Sequence, residues 1–236
     1  MALPKVNTPT YELAVPSTDE KIKYRPFLVK EEKILLIAME AQEQSGILNA
    51  VKDIVKSCTF DKFDVNKAPI FDIEYIFLNI RAKSVGEVST VNLRCPDDNE
   101  TFVQTDIDLT KVDVQLTKGH TNKIELTDEM GMIMTYPTLD SFSDSTTVIN
   151  ASNMLDVIAS CVAQIYDKKG EDVYDAKDST KQEIVDFIES LNSKQFKEIQ
   201  NFFDTSPKLT HTVTIENPKT KVKSDITLTG LNDFFV

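Results

Sequence analysis

The sequence predicts an α+β fold in which a helical core carries an inserted antiparallel β module and is followed by a C-terminal β-hairpin. Apolar residues recur in steps of three and four between residues 34 and 58 and between 154 and 165, which places them on one face of a helix. They alternate with a period of two between residues 88 and 136 and between 209 and 228, which is typical of strands. Together these two periodicities predict the α+β class.

The change of period divides the chain into five segments. The first 25 residues carry three prolines among Thr, Ser and Lys, which predicts an extended arm. The full division is an extended N-terminal arm at 1–25, an N-terminal helical part at 26–86, an antiparallel β module at 87–137, a C-terminal helical part at 138–206, and a β-hairpin with an apolar tail at 207–236. No pattern repeats every 20 to 50 residues or so, which excludes a solenoid.

The stretch from Pro69 to Gly86 predicts the central helix. Eight of the eleven residues from 70 to 80 are apolar and cover nearly the whole circumference, which normally means burial. Pro69 suits the first helical turn and Gly86 suits the exit. Glu74 and Arg81 lie two turns apart on one face, so two interpretations stay open: a core helix with solvated polar ends, or a helix that offers part of its surface to a partner.

An earlier helix is predicted from residue 27 to 58, opened by Pro26. Ile34 and Ile37 fall on the same helical face as Leu48, Val51, Val55 and Cys58. Ser45 and Gly46 in the middle would either kink this helix or divide it in two.

The β module begins with a hairpin of strands at 88–95 and 102–109 that turns at 96–99. Further strand candidates follow at 112–116, 122–126 and 130–136. Cys95, Pro96 and Asp98 at the hairpin tip resemble a Cys-Pro-x-Cys zinc knuckle in which the second thiolate is replaced by a carboxylate. Four soft ligands cannot be assembled around it, so we expect no bound zinc.

The C-terminal half is predicted to hold a helix at 152–167, with Cys161 on its buried face, and helices at 179–191 and 192–203. A capping box at 179–182 opens the second of these helices. The tail residues Leu231, Phe234 and Phe235 are too apolar for a solvated end and dock either on their own domain or on a partner. We hypothesise that residues 1–25 and 229–236 order only on binding.

Composition and charge exclude several classes of protein. The chain is 41% hydrophobic and 27% charged, as in an ordinary globular protein, and its net charge of −12 repels phosphate backbones and anionic membrane surfaces. We therefore expect no nucleic-acid partner and no membrane partner. The longest apolar run, residues 34–39, is too short to span a bilayer. Three widely spaced cysteines indicate free thiols in a reducing cytoplasm.

The sequence contains no recognisable catalytic or cofactor-binding motif. There is no GxxxxGK[ST], no GxSxG and no HExxH, and six glycines leave no glycine-rich loop. His120 and His211 lie among threonines in strand or turn contexts. We therefore predict no enzyme activity, no cofactor, no catalytic residue and no metal ligand.

One run resembles a known family. The residues FDIEYIFLNIRAKSVGE at 71–87, followed by a strand and Cys95-Pro96, resemble the T4-type bacteriophage baseplate protein family, whose members take part in assembling the tail baseplate hub. The resemblance implies a non-enzymatic phage protein that acts in assembly of the central hub of a contractile-tail baseplate, either as an assembly chaperone or as a component that stays in the virion. Where family members carry Cys-Pro-x-Cys, this chain has Asp98, so no metal-dependent role carries over.

The expected partners are other phage baseplate hub subunits, met in the host cytoplasm during assembly and, for a retained component, in the tail baseplate of the virion. The predicted partner-binding residues are Glu74, Arg81, Leu231, Phe234 and Phe235. The oligomeric state and the hub subunit bound stay open. The competing interpretation is a hydrolase-type baseplate enzyme with a dispersed carboxylate site, which a cleft holding two carboxylates with shifted pKa values would favour.

Overall fold

A computed structural model describes residues 7–41, 44–142, 153–169 and 172–234. It confirms the predicted α+β class, with helices and several antiparallel sheets. The helices and strands of the described residues are, in chain order, β1 (Tyr11–Ala14), β2 (Lys21–Tyr24), α1 (Val29–Ala41), α2 (Gln44–Cys58), α3 (Ile70–Val85), β3 (Val88–Arg94), β4 (Phe102–Asp108), β5 (Asp113–Gln115), β6 (Lys123–Glu125), β7 (Met130–Met134), α4 (Met154–Ser160), β8 (Val162–Asp167), β9 (Val173–Asp175), α5 (Lys181–Glu189), α6 (Ser193–Thr205), β10 (Lys208–Glu216) and β11 (Lys223–Thr229).

The chain forms two compact units, one of Met1–Gln115 with Lys208–Val236 and the other of Leu116–Pro207. The predicted segments cross this division. The predicted β module at 87–137 contributes β3, β4 and β5 to the first unit and β6 and β7 to the second, because β5 pairs with β10 and β7 pairs with β8. Strand partners far along the chain therefore decide which unit each strand joins.

The core of the first unit is built on α3. Pro69 precedes the helix with φ −54° and ψ 148°, and Gly86 ends it with φ 142°, a conformation that favours glycine. Ile76, Leu78 and Ile80 have no exposed surface. The predicted burial of this helix is confirmed, since the residues buried along it are Phe71, Asp72, Ile73, Ile76, Phe77, Leu78, Ile80 and Ala82.

Two small antiparallel sheets complete this core. β3 pairs with β4, and β10 lies between β11 and β5. Their inward side chains pack with Leu78 of α3 in one cluster, which also contains Phe234. The cluster comprises Leu78, Ala82, Val91, Leu93, Cys95, Ile107, Leu109, Val112, Leu209, Ile215, Leu228 and Phe234. The predicted pair of hairpins therefore contributes to one core.

The N-terminal arm differs from its prediction. β1 and β2 pair as an antiparallel hairpin from Tyr11 opposite Tyr24 to Ala14 opposite Lys21, where the sequence predicted an extended arm. Leu13, Val15, Ile22 and Tyr24 are buried, and the Ser17 backbone N–H donates to Asp72 Oδ1 of α3 at 3.0 Å. Burial of these apolar side chains against the chain's own core is the reason that the described part of the arm is ordered without a partner.

The second unit is a four-stranded antiparallel sheet in the order β6-β7-β8-β9, with α4, α5 and α6. The prediction of a helix through residue 167 is wrong: α4 ends at Ser160, and β8 begins at Val162. Since β8 lies between β7 and β9, sheet pairing on both sides overrides the helical periodicity of this stretch. Cys161 between them is fully buried, as predicted, and the predicted first residue 152 lies outside the described residues.

Helices α5 and α6 begin at capping boxes. Thr180 Oγ1 accepts from the backbone N–H of Glu183, whose carboxylate accepts from the Thr180 backbone in return. The predicted box at 179–182 is thus shifted by one residue. Asn192 and Gln195 form the same arrangement at the start of α6. Each box satisfies backbone donors that a helix start otherwise leaves without partners.

Candidate protein-protein interface

Helix α1 is anchored at its first turn by a buried ion pair. Arg25 Nη2 lies 3.0 Å from Glu31 Oε1, and the two side chains are only 11% and 5% exposed. Ser57 at the end of α2 joins them, since Arg25 donates to Ser57 Oγ at 2.9 Å and Ser57 donates to Glu31 at 3.1 Å. The Phe27 backbone N–H donates to Ser84 Oγ of α3 at 2.9 Å. The start of α1 is therefore fixed to both neighbouring helices.

The electrostatics of this anchor favour an ionised Glu31. Burial alone would raise the pKa of Glu31, but hydrogen bonds from Arg25, from the Leu28 backbone N–H and from Ser57, with the positive charge of Arg25, lower it to about 2. A buried carboxylate is tolerated only when it is paired and hydrogen-bonded in this way. The anchor is thus a permanent charge pair at neutral pH.

Helix α1 and Leu28, which immediately precedes it, expose large apolar side chains. Leu36 is 54% exposed, Ile37 55% and Val29 80%, and the full set is Leu28, Val29, Ile34, Leu36, Ile37 and Met39. In α3, by contrast, the large aliphatic residues of the middle turns are buried. A concentration of exposed large apolar residues on one short helix is typical of a site of interaction with another protein.

The exposed residues follow the helical repeat. Glu31, Leu35 and Ala38 form an inner stripe in steps of four and three, and each is buried or half-buried against the rest of the unit. Val29, Lys33, Leu36 and Glu40 form an outer stripe in steps of four, three and four, and all four are exposed. At about 100° per residue the two stripes lie on opposite sides of the helix. Helix α1 thus rests on its inner stripe and presents its outer stripe to solvent.

The sequence prediction for this helix is confirmed in one respect and corrected in another. The helix predicted at 27–58 is divided into α1 and α2, one of the two predicted outcomes, but Ser45 and Gly46 lie within α2, and residues 42 and 43 between the helices lie outside the described residues. Ile34 and Ile37, predicted to share one face with Val51, are exposed, whereas Val51 is buried. The predicted continuous buried face therefore does not form. The sequence feature that could have indicated an exposed apolar surface was the apolar run at 34–39, because a helix that is apolar on several sides needs more than one neighbour.

Three of the residues predicted to bind a partner meet inside the first unit. The Leu231 backbone N–H donates to Glu74 Oε1 at 3.3 Å, and a Cβ at Gly230 would lie 3.2 Å from the same oxygen. Phe234 is fully buried, and Ser89 Oγ donates to its carbonyl at 2.6 Å. The described part of the apolar tail, up to residue 234, therefore docks on its own domain. The hypothesis was that this tail orders only on binding to a partner.

Burial raises the pKa of Glu74 to about 7, although the hydrogen bond from the Leu231 backbone N–H acts to lower it. Arg81 Nη1 donates to the Gly86 carbonyl at 2.9 Å, at the end of α3. Phe235 lies outside the described residues. Partner binding by Glu74, Arg81, Leu231, Phe234 and Phe235 stays a prediction. The sequence spacing of Glu74 and Leu231 gave no indication that the two residues are in contact.

The tip of the β3–β4 hairpin is held by hydrogen bonds. Asp98 accepts from the backbone N–H groups of Glu100 and Thr101 at 3.0 Å each and from Thr101 Oγ1 at 2.6 Å. Asp97 accepts from Asn217 Nδ2 at 3.0 Å, which joins this tip to the tip of the β10–β11 hairpin. Burial raises the pKa of the Cys95 thiol, and Asp97 and Asp98 raise it further. Asp98 thus shapes the turn at the position where a knuckle would hold its second thiolate.

The second unit has a surface cleft beside α6 that contains the carboxylates Glu125, Asp128 and Glu198. A hydrogen bond from Lys168 lowers the pKa of Glu125. A carboxylic acid that donates a proton in catalysis needs a raised pKa instead. Within the ranges that the structure describes, no three His, Cys, Asp or Glu side chains are grouped so that they could hold a metal ion. Of the helices in those ranges, none is long and apolar enough to cross a membrane.

Comparison with known proteins identifies the family. The family model described as T4 bacteriophage base plate protein matches residues 8–236, far beyond the run at 71–87 that carried the resemblance. No curated protein and no solved structure matches the chain. The matched range includes α1 and both units of the fold. The chain therefore belongs to the T4 bacteriophage base plate protein family.

Proposed function

We propose that this baseplate protein acts without enzymatic activity in assembly of the central hub of a contractile tail, through contacts with other hub subunits. It does so either as an assembly chaperone or as a component of the hub. The observation that carries the proposal is α1, a firmly anchored helix whose outer stripe and flanking residues expose Val29, Leu36 and Ile37. Proteins that act by association typically have such a surface.

The energetics support contact by α1. Full burial of a large aliphatic side chain contributes about 1.5–3 kcal/mol, so covering a side chain that is now half exposed contributes roughly 1 kcal/mol. The apolar residues exposed on α1 would together stabilise a complex by several kcal/mol, before the cost of association is subtracted. Because the buried ion pair of Arg25 and Glu31 already orders the start of the helix, less conformational entropy is lost on binding.

The proposed sites of action follow from the role. A chaperone acts in the host cytoplasm and leaves, whereas a component stays in the tail of the virion. Assay of purified virions for this chain separates the two roles: its presence in stoichiometric amount supports a component, and its absence from particles whose assembly requires it supports a chaperone.

The test is co-expression with each of the other baseplate hub subunits, followed by size-exclusion chromatography with mass determination. We expect this chain to elute together with a hub subunit. The double variant Leu36→Glu, Ile37→Glu should lose that subunit, because two charges would be buried in the contact.

The matched control is Leu116→Glu with Val173→Glu, which adds the same charge at residues that are 69% and 58% exposed outside α1. It should keep the complex. If no hub subunit elutes with the wild-type chain, the proposed function is wrong, and if both double variants keep the complex, α1 is not the contact surface.

A further inference from the structure

The outer stripe of α1 has a charge pattern that is complementary to itself. Lys33 lies toward the N-terminal end and Glu40 toward the C-terminal end, with the exposed apolar pair Leu36 and Ile37 between them. Two such helices that run antiparallel and are centred between Leu36 and Ile37 bring Lys33 of each copy opposite Glu40 of the other. The same alignment places Leu36 opposite Ile37 at the centre.

We propose that α1 pairs antiparallel with α1 of a second copy of this chain, through Lys33, Leu36, Ile37 and Glu40. The inference rests on the proposed function, since it takes α1 as a contact surface; a second copy occupies this surface in the isolated chain, and a hub subunit that binds α1 would displace it. The contact is isologous: the same stripe serves both copies, as a twofold axis requires. The adjacent apolar residues Leu36 and Ile37 form its centre, and the opposite charges of Lys33 and Glu40 lie on either side of them.

The charge pattern selects the orientation. A parallel pair would place Lys33 against Lys33 and Glu40 against Glu40, and like charges across an interface suppress association. The antiparallel pair turns both repulsions into attractions. The exposed Lys30 lies 3.4 Å from Glu31 of its own helix and is not needed in the contact.

The size of the contact sets the expected affinity. Helix α1 has 13 residues and is about 20 Å long, so a pair of such helices buries less surface than a standard stable interface. The net charge of −12 adds a general repulsion between copies, which physiological salt reduces. We therefore expect a reversible dimer with a Kd between about 1 and 100 µM.

Sedimentation velocity on the full chain from 5 to 200 µM in 150 mM NaCl tests the inference. The mass should rise with concentration from 26.6 kDa toward twice that value. Lys33→Glu and Glu40→Lys should each weaken the dimer about tenfold or more, because each creates like-charge contacts twice over. The double exchange, Lys33→Glu with Glu40→Lys, should restore the dimer, since it only inverts both pairs.

A mixture of the two single variants provides the sharpest arm of the experiment. One copy then carries Glu at both positions and the other Lys at both, so the mixed dimer has two attractive pairs and should form although neither variant associates alone. Circular dichroism should give the same melting temperature for all variants, because both residues are exposed. Lys62→Glu, at an exposed position outside α1, is the control and should dimerise as the wild type does.

A wild-type chain that stays monomeric at 200 µM overturns the inference, as does a dimer that ignores the charge reversals. These outcomes are distinct from failure of the proposed function. A monomer that still elutes with a hub subunit overturns the second-copy contact alone. A charge-sensitive dimer that elutes with no hub subunit supports the contact and overturns the hub role.

Discussion

Helices α1 and α3 are both rich in apolar residues, yet they have opposite environments. In α3 the large apolar residues Ile76, Leu78 and Ile80 have no exposed surface, whereas in α1 Leu36 and Ile37 are more than half exposed. The two helices differ in the elements that cover them. Helix α3 packs against two sheets, and the N-terminal arm and the C-terminal tail donate hydrogen bonds to it. Helix α1 makes its main contacts with α2. Apolar composition thus indicates that a helix needs neighbours, and the rest of the chain decides whether it has them.

The largest expected effect is that of a charge introduced into α3, compared with a charge introduced into α1. Phe77→Asp, at a side chain that is 3% exposed, should prevent folding. A carboxylate buried without a partner is very costly, and a whole domain is stabilised by only roughly 5–15 kcal/mol. Ile37→Asp should change the free energy of unfolding by less than about 0.5 kcal/mol. Thermal unfolding followed by circular dichroism measures both. A cooperative transition in Phe77→Asp at the wild-type temperature would remove α3 from the core.

Next in size is the anchor of α1. Arg25→Met should destabilise the first unit by about 3–5 kcal/mol, because it leaves the Glu31 carboxylate buried without its cation. Lys30→Met is the control, since Lys30 pairs with the same carboxylate but is 69% exposed, and it should cost less than about 1 kcal/mol. Urea denaturation at pH 7 compares them. Equal losses in the two variants would mean that burial of the pair contributes nothing.

The pH dependence of the anchor follows from the pKa of Glu31. The pKa is lowered to about 2 in the folded protein, so the stabilisation is fully present above the unfolded value of about 4.5 and is lost as the pH falls through 2. Glu31→Gln should therefore reduce the difference in unfolding free energy between pH 6 and pH 3. A variant with the wild-type pH profile would contradict the charged pair.

The smallest effect concerns Glu74, beneath the tail. Its pKa is raised to about 7 in the folded protein, so its contribution to stability is fully present below about pH 4.5 and is lost as the pH rises through 7. Glu74→Gln should thus be more stable than the wild type at pH 8, by about 1–3 kcal/mol, and nearly equal to it at pH 4.5. Urea denaturation at the two pH values provides the measurement, and a wild-type advantage at pH 8 would contradict burial of a charged Glu74.

Periodicity predicted those parts of the fold in which local pattern and tertiary packing agree. The apolar circumference of α3 and its Pro69 and Gly86 ends were sufficient to predict a buried helix. The stretch at 162–167 was assigned to a helix because its residues continue the steps of three and four, and only pairing with both β7 and β9 makes it a strand. Local pattern carries no information about strand partners that are distant in sequence.

The candidate interface was less accessible to prediction for the same reason. The sequence indicated that residues 34–39 are apolar, but its periodicity placed Ile34 and Ile37 on the buried face of Val51, whereas both are exposed. Glu74 and Leu231 are 157 positions apart, and no spacing rule joins them. The apolar composition of the surface could therefore be predicted from the sequence. Its exposure depends on how α1 packs against the rest of the unit, which the sequence pattern does not indicate.

Hydrogen exchange measured on the isolated chain, at a concentration at which it is monomeric, and on its complex with a hub subunit tests the account most directly. We expect the amides of α1, covered mainly from the α2 side in the free chain, to exchange more slowly in the complex, while those of α3 keep their high protection in both states. A complex that forms without any change in the exchange of α1 would contradict the assignment of this helix as the contact surface.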